Sequence, residues 1–196
     1  MGAVAGYLLL VRPWHLRWGA TDDEIARGMP CDDAVKRPLY VTNRAITIDA
    51  PPDQVWPWLA QMGELPRGGF YSYDWIERLM GMKVSNTAGL LPEHQSLQVG
   101  QALDLSGNML VKAVEPEHFV VLGPPPRVTE VESTWVLALY PLPGYRTRLV
   151  SRVRARVAST VRGLWLLLVL DPGQFLMERK MLLGIKSRAE RRWSLS

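Results

Sequence analysis

The sequence predicts an α+β protein in which a curved antiparallel sheet is wrapped around one long C-terminal helix, with two short helices after the first strand. Three features predict this fold class. Residues 171–193 have an amphipathic helical pattern, residues 97–157 contain successive strand-like segments between turn signals, and two helix-like segments follow the first predicted strand. A sheet and a helix with one apolar face each are expected to bury those faces against one another.

The composition is that of one globular domain. The chain has 196 residues, of which 47% are hydrophobic and 21% charged, and its formal net charge is +4. We divide it into an N-terminal arm with a short helix, residues 1–38, and a single domain, residues 39–196. The single cysteine, Cys31, excludes an intramolecular disulfide and is compatible with a cytoplasmic protein.

The arm begins with an apolar run of ten residues, Gly2 to Val11, which is about half as long as a membrane-spanning helix. Trp14, Trp18 and several basic residues follow, a combination typical of a membrane–water boundary. We expect residues 2–18 to pack on the domain or on a second copy of the chain in a homodimer. A peripheral membrane contact is the alternative.

The remaining elements follow from turn signals and hydrophobic spacing. Thr21 and Glu24 have the spacing of a capping box, and Ser72 or Asp74 is expected to cap the second short helix after the first strand. In chain order the predicted elements are a helix at 21–27, a strand at 39–49, helices at 53–62 and 74–80, and strands at 102–105, 109–114, 119–122, 134–140 and 147–157.

The last predicted strand alternates apolar residues with arginines. We interpret the arginine face as solvated, because the other basic residues are scattered and do not form the basic surface of a nucleic-acid-binding protein. The sequence therefore predicts no nucleic-acid partner. The arginines on this face are Arg146, Arg148, Arg152, Arg154 and Arg156.

The C-terminal helix is predicted to begin with Asp171 as N-cap and Pro172 at the first helical position. The apolar run before it, Leu164 to Leu170, is expected to be buried or to lie against another apolar surface, and to belong to a helix that is interrupted at residues 171–173. Glu178 lies near the centre of the apolar face, so burying this face would bury a carboxylate. The apolar face consists of Phe175, Met177, Met181, Leu182, Ile185 and Ala189.

Four blocks of the chain resemble a known superfamily. They are Arg12–Thr21 (RPWHLRWGAT), Ala45–Gly63 (AITIDAPPDQVWPWLAQMG), Gly68–Glu77 (GGFYSYDWIE) and Met177–Glu190 (MERKMLLGIKSRAE). On these blocks the chain resembles the helix-grip proteins of the START and plant pathogenesis-related superfamily, SRPBCC. It looks closest to the bacterial members labelled polyketide cyclase/dehydrase or lipid-transport-like.

The resemblance implies a helix-grip fold with a cavity between the sheet and the last helix. Members of the superfamily bind lipids, sterols, polyketides or plant hormones, and some catalyse cyclisation or dehydration. The motif that joins the first strand to the first helix is structural in the superfamily, so the resemblance implies no catalytic residue here.

Glu178 is the sharpest functional candidate. A carboxylate in apolar surroundings has a raised pKa and can act as a general acid, a general base or a ligand anchor. The alternatives are a structural ion pair with Arg44, Arg67 or an arginine of the last strand, or a rotation of the helix that returns Glu178 to solvent. Asp74 is the second candidate for acid–base catalysis.

The other candidate residues are expected to line the cavity or its mouth, with packing in the core as the alternative. Flexible methionines suit a tolerant pocket, and tyrosine hydroxyls can fix the polar ends of a ligand. The ligand-binding candidates are Glu178, Met177, Met181, Ile185, Gln174, Trp56, Gln61, Phe70, Tyr71, Tyr73 and Trp75.

The sequence predicts neither a metal nor a cofactor. It contains no zinc-type ligand spacing, Walker loop or dinucleotide fingerprint. We assign His15, His94 and His118 to surface or capping positions.

Three functions are compatible with the sequence. The first is a binding or carrier protein for a small hydrophobic molecule, and the second is a cyclase- or dehydrase-type enzyme that acts on a polyketide-like substrate in the same cavity. The third is a membrane-proximal interaction module that uses residues 2–18. We expect a cytoplasmic location, with membrane association as the alternative.

Overall fold

The computed structural model describes residues 6–125, 131–157 and 161–195, with side chains for all of these except residues 8, 131, 157 and 161–170. The helices are α1 (Arg12–Leu16), α2 (Asp22–Ala26), α3 (Pro52–Ala60), α4 (Asp74–Leu79) and α5 (Val161–Trp193). The strands are β1 (Tyr40–Ile48), β2 (Leu110–Glu115), β3 (Phe119–Gly123), β4 (Val131–Leu142) and β5 (Arg146–Val157). A π-helical turn, Tyr7–Val11, leads into α1, and short 3₁₀ turns lie at Asp32–Ala34 and Pro92–His94.

The five strands form one antiparallel sheet in the order β1-β5-β4-β3-β2. The first and last strands of the chain are therefore neighbours, and α5 packs across them together with α3. This arrangement confirms the predicted α+β class, with two short helices after the first strand and a long C-terminal helix against the sheet, and it is consistent with a helix-grip fold.

The predicted strand at 102–105 is wrong, since Ala102 contributes only an isolated bridge to Leu110. The carboxylate of Asp104 accepts hydrogen bonds from the backbone N–H groups of Asn108 (3.1 Å) and Met109 (2.8 Å). These bonds hold the segment in a turn, because an aspartate side chain can bind backbone groups that a strand ladder would otherwise use.

The predicted start of the last helix is also wrong. Helix α5 begins ten residues earlier, at Val161, and continues through Asp171 and Pro172 without the expected interruption. Asp171 lies inside this helix and therefore is not its N-cap. Its carboxylate instead accepts a hydrogen bond from Arg12 (3.0 Å) and lies 2.7 Å from the Tyr40 hydroxyl. The predicted burial of 164–170 falls on side chains outside the described residues.

The caps of the short helices give one confirmation and one correction. Thr21 and Glu24 form the predicted capping box at the start of α2. The N-cap of α4 is Tyr73, not Ser72 or Asp74, and it makes no side-chain capping bond. The hydroxyl of Ser72 instead donates to the carbonyl of Met177 on α5 (2.9 Å).

Both faces of the sheet are covered. On one face, the main apolar core joins the sheet to α3 and α5, while a smaller core on the other face includes Met29, Ala45 and Val150. The segment after α1 is bound to the edge of β1 by a hydrogen bond from the N–H of Ala45 to the carbonyl of Trp18 (3.0 Å). Gly19 has φ +74°, and a Cβ there would lie 2.2 Å from the carbonyl oxygen of Ala45, so the close approach requires glycine.

The arginine face of β5 is therefore not the solvated face that the sequence predicts. The side chain of Arg152 is only 3% exposed and lies under residues 24–32. It donates to Asn43 (2.6 Å), to Asp32 (2.6 Å) and to backbone carbonyls of the covering segment. The alternation of apolar residues and arginines along β5 was predicted correctly. The alternation does not show that another segment of the chain covers the arginine face.

Candidate functional site

The candidate site lies between β1 and α5, and alternation along β1 supplies one wall of it. Tyr40, Thr42 and Arg44 point to the same face because successive side chains of a strand alternate. All three are buried. They lie on the face that α5 covers.

Helix α5 supplies the opposite wall. Asp171, Gln174 and Glu178 are spaced by three and four residues, so they lie on one stripe of the helix. Asp171 and Glu178 are buried, and Gln174 is half-buried. The stripe faces β1, which places two carboxylates and an amide opposite an arginine and a tyrosine.

Arg44 and Glu178 form a buried ion pair. Nη1 of Arg44 donates to Oε2 of Glu178 at 2.5 Å, and the two side chains are 0% and 3% exposed. Gln174 completes the group, since its Nε2 donates to the same oxygen of Glu178 (2.8 Å) and its Oε1 accepts from Arg44 (3.0 Å). The sequence named Arg44 as one of several possible partners, and the structure selects it.

A second polar group adjoins this pair and connects it to the arm. The hydroxyl of Tyr40 lies 2.7 Å from both Asp171 and Gln174. His15 lies 3.6 Å from Asp171 and 2.9 Å from the hydroxyl of Tyr7. The polar residues therefore form one continuous network from the arm to Glu178.

Several atoms of this network have no hydrogen-bond partner in the described part of the chain. They include Nη2 of Arg44, Oε1 of Glu178 and Oγ1 of Thr42, all of which are buried. The Ser151 hydroxyl stands near the carboxylate and favours its charged form, and it also accepts from the indole N–H of Trp135 (2.9 Å). Buried donors and acceptors are normally satisfied, so this group has capacity to bind a polar atom of another molecule.

Burial shifts the pKa values of the network. It raises the pKa of Glu178, although the positive charge of Arg44 and the Ser151 hydroxyl act in the opposite direction. Burial lowers the pKa of His15, which Asp171 opposes, and it raises the pKa of Tyr40. His15 is therefore predominantly neutral at physiological pH.

The apolar candidates lie in the main core. Trp56, Met181 and Ile185 are 7%, 2% and 0% exposed and pack in one cluster with Phe70 and Tyr71. Met177 is half-buried and does not belong to this cluster. These residues do form the interior between the sheet and α5, and their role in ligand binding stays a prediction.

The polar and aromatic candidates at the predicted cavity mouth have separate roles. The side chain of Gln61 holds the loop at 89–95, donating to the carbonyl of Gly89 (3.1 Å) and accepting from the N–H of Leu91 (2.9 Å). The hydroxyl of Tyr71 donates to the carbonyl of Trp58 (3.0 Å). Tyr73 is half-buried with Lys180 5.7 Å from its ring, and Trp75 is 67% exposed.

Asp74 contacts different residues from those that contact Glu178. It accepts a hydrogen bond from Asn86 and lies 3.5 Å from Arg78. The neighbouring Glu77 is almost fully buried, and burial together with the charge of Asp74 raises its pKa to about 7. A pKa near neutrality suits Glu77 to acid–base chemistry at physiological pH, and no feature of its spacing distinguishes it from a surface glutamate.

Sequence reasoning assigned His15 to a surface or capping position, and the surface position is wrong because the residue is 2% exposed. Its ring packs against Phe175 with centroids 5.2 Å apart. The sequence reasoning also did not identify Tyr40 and Thr42 as residues of the site. The two-residue spacing of Tyr40, Thr42 and Arg44 was the available signal, although it does not show which face α5 would cover.

No group of three or more His, Cys, Asp or Glu side chains suited to a metal ion occurs among the described residues. The polar network contains one histidine and two carboxylates, but Arg12, Arg44 and Tyr40 already neutralise or hydrogen-bond those carboxylates. The arrangement therefore suits hydrogen bonding to an organic ligand better than coordination of a cation.

Comparison with other proteins adds little beyond the general arrangement. No family model matches the sequence, and a search of curated proteins finds no match. Among solved structures, a Nitrosospira multiformis protein is similar with a TM-score of 0.44 and 19% identity, over 76% of this chain and 94% of that one. Protein CV1439 from Chromobacterium violaceum has a TM-score of 0.46 and 11% identity, over 76% and 96%.

Protein Ms6760 from Mycobacterium smegmatis is similar with a TM-score of 0.41 and 15% identity, over 75% of this chain and 88% of that one. These similarities are weak in both sequence and structure. They assign neither a family nor an activity to this chain.

Proposed function

We propose that this protein binds a small, mostly apolar molecule between the sheet and α5, and that an oxygen atom of that molecule accepts a hydrogen bond from Arg44. The observation that carries the proposal is Nη2 of Arg44, which is fully buried and has no acceptor among the described residues. An unpaired guanidinium N–H in an apolar interior is costly, and a ligand carbonyl, hydroxyl or carboxyl oxygen would remove that cost.

The surroundings of Arg44 support a ligand of mixed character. Thr42 adds a buried hydroxyl oxygen and Glu178 a buried carboxylate oxygen, neither of which has a hydrogen-bond partner among the described residues. Trp135 and Val153, which are paired across β4 and β5 on the same face, are only half-buried and add apolar surface. The resemblance to helix-grip proteins that hold lipids or polyketides agrees with such a ligand.

The experiment is native mass spectrometry of the full chain, as purified and after incubation with a lipid extract of the expression host. We expect one hydrophobic molecule per chain in the native protein. Two conservative variants should reduce the bound fraction at least about tenfold, because each removes a hydrogen bond to a buried polar atom. These are Thr42→Val and Arg44→Lys, of which the second keeps the positive charge opposite Glu178.

Thr134→Val is the matched control. Thr134 is also a buried threonine without a hydroxyl partner in the described structure, but it pairs with Arg154 and so faces the other side of the sheet. It should bind as the native protein does. A native protein without any adduct under both conditions, or equal binding by all three variants, would contradict the proposal.

A peripheral membrane contact is a second proposal, supported by the exposed apolar side chains of the arm. Leu9 and Leu10 are 74% and 75% exposed, and Trp14 is 57% exposed. Arg12 joins this region to Asp171, so the arm lies beside the point where α5 extends ten residues further with the sequence VRGLWLLLVL. No helix of the described residues is long and apolar enough to span a membrane.

This surface fits the interface of an anionic bilayer. An apolar patch bordered by tryptophan and arginine is the pattern of a segment that lies in the headgroup region. Arg12 and Arg17 at its border each pair with one carboxylate, of Asp171 and Asp22 respectively. The exposed apolar side chains therefore carry this proposal, and anionic lipids add attraction for a chain of formal net charge +4.

We expect the full chain to float with vesicles of phosphatidylcholine and phosphatidylglycerol. The double variant Leu9→Asp/Leu10→Asp should lower the bound fraction at least about tenfold, because two exposed leucines would no longer enter the bilayer. Leu79→Asp is the control, since Leu79 is 81% exposed and lies outside the arm, at the end of α4. Equal flotation of the double variant and the control would exclude this contact.

A further inference from the structure

A groove at the C-terminal end of α5 has features of a second ligand site. Its volume is about 430 Å³, within the usual range of small-molecule sites. Arg188 lies ten residues after Glu178, which is roughly 15 Å along a helix, so the groove is separate from the site at Arg44. The lining residues are Trp58, Ala88, Gly89, Leu90, Arg188, Arg191, Arg192 and Leu195.

The groove is strongly positive. It contains three arginines and no acidic residue. None of the three arginines forms an ion pair with a carboxylate in the described part of the chain. Burial is the main cause that lowers the pKa of Arg188, and the charge of Arg191 adds to it, while Tyr71 and the carboxylate of Asp74, which is not part of the groove lining, act in the opposite direction.

Arg188 is held in place by the protein. Its Nε donates to the carbonyl of Thr87 (2.9 Å), its Nη1 donates to the carbonyl of Gly184 (3.2 Å), and its guanidinium lies 4.6 Å from the centre of the Tyr71 ring. Gly184 permits this arrangement, because a Cβ there would lie 2.6 Å from the carbonyl oxygen of Tyr71. Arg188 is thus a fixed cation in the wall of the groove.

Arginines near a helix C-terminus also interact with the helix dipole, so their presence alone does not identify a site. Trp58 supplies an independent observation. It lines the same groove, is 3% exposed, and its indole N–H has no acceptor among the described residues. Buried indole N–H groups usually have an acceptor, and an oxygen of a ligand that settles against Trp58 would provide one.

We propose that this groove binds an organic oxyanion, a molecule with an apolar body and a carboxylate or phosphate group. The guanidinium groups of Arg188, Arg191 and Arg192 bind the charged group, since arginine pairs with carboxylates and phosphates through two parallel N–H bonds. The apolar body lies against Trp58, Leu90 and Leu195. This groove is distinct from the proposed site at Arg44 between the sheet and α5, and either site can exist without the other.

The probes are decanoate, decyl phosphate and the neutral decanol, titrated into the full chain and followed by calorimetry and by the indole N–H signals in NMR spectra. Trp58→Phe identifies the signal of Trp58. We expect saturable binding of one decanoate or decyl phosphate per chain, with a shift of that signal. Decanol should bind at least about tenfold more weakly, because it forms no ion pair with the arginines.

The double variant Arg191→Gln/Arg192→Gln should weaken decanoate binding at least about tenfold, because two exposed side chains would no longer pair with its carboxylate. The matched control is Arg179→Gln, an exposed arginine of the same helix that lies over Trp18, outside the groove. Its affinity should equal that of the native chain.

Two results would overturn this assignment. One is equal affinity of the double variant and the control, and the other is decanoate binding that leaves the Trp58 signal unchanged. Because Thr42 and Arg44 are not involved, loss of binding in their variants would instead place the decanoate in the site between the sheet and α5.

Discussion

The substitution Arg44→Met is expected to lower the free energy of unfolding by about 3–5 kcal/mol at neutral pH, because it leaves the Glu178 carboxylate buried without its counter-charge. Arg44 also donates to the carbonyl of His15 (3.0 Å) and to Gln174, so the arm and α5 lose contacts together. Urea denaturation followed by circular dichroism measures the change.

The effect of Arg44→Met should depend on pH, and its direction follows from Glu178. Burial raises the pKa of Glu178 above its value in the unfolded chain, so the buried carboxylate disfavours folding increasingly as the pH rises from the unfolded toward the folded pKa. In the variant the favourable charge of Arg44 is gone and the folded pKa rises further. The loss of unfolding free energy caused by Arg44→Met should therefore be smaller near pH ~4, where the Glu178 carboxyl group is largely protonated in the folded and the unfolded chain.

The double variant Arg44→Met/Glu178→Met tests the cause. Removing both charges leaves no uncompensated ion, so the double variant should be more stable than Arg44→Met alone. A double variant less stable than the single one, or a deficit that does not change with pH, would show that Arg44 acts by packing and not by balancing Glu178.

Arg152→Met is expected to have a comparable effect, about 3–5 kcal/mol, because removing the buried cation leaves its hydrogen-bond acceptors without a donor. Arg152 donates five hydrogen bonds, to Asn43, to Asp32 and to the carbonyls of Arg27, Glu24 and Ile25. The same urea experiment applies. Hydrogen exchange should in addition become faster over residues 21–35, which the arginine binds to the back of the sheet.

Two arginines of the same strand are matched controls. Arg146 and Arg156 lie on the same face of β5 but are exposed, so replacing either with methionine should change stability by no more than about 0.5 kcal/mol. Equal losses for all three arginines would mean that the strand itself, and not the covering segment, determines the effect.

Local patterns were sufficient for most elements. The helices after β1, four of the five strands that follow in the predicted order, and the amphipathic part of α5 were all found from spacing and turn residues. Periodicity of 3.6 residues also predicted that Glu178 shares a face with Met181, Leu182 and Ile185, and the structure buries that face. Those features depend on residues close in sequence.

What the sequence by itself determined is therefore the α+β class, the order of the elements and the presence of one carboxylate on the buried face of the last helix. Only the tertiary structure decided that Arg44 pairs with Glu178, that Asp171 binds Tyr40 and Arg12 instead of capping a helix, and that Arg152 is buried. Each of these depends on contacts between residues far apart in the chain. Periodicity shows which side chains share a face, but it does not show which other segment will cover that face.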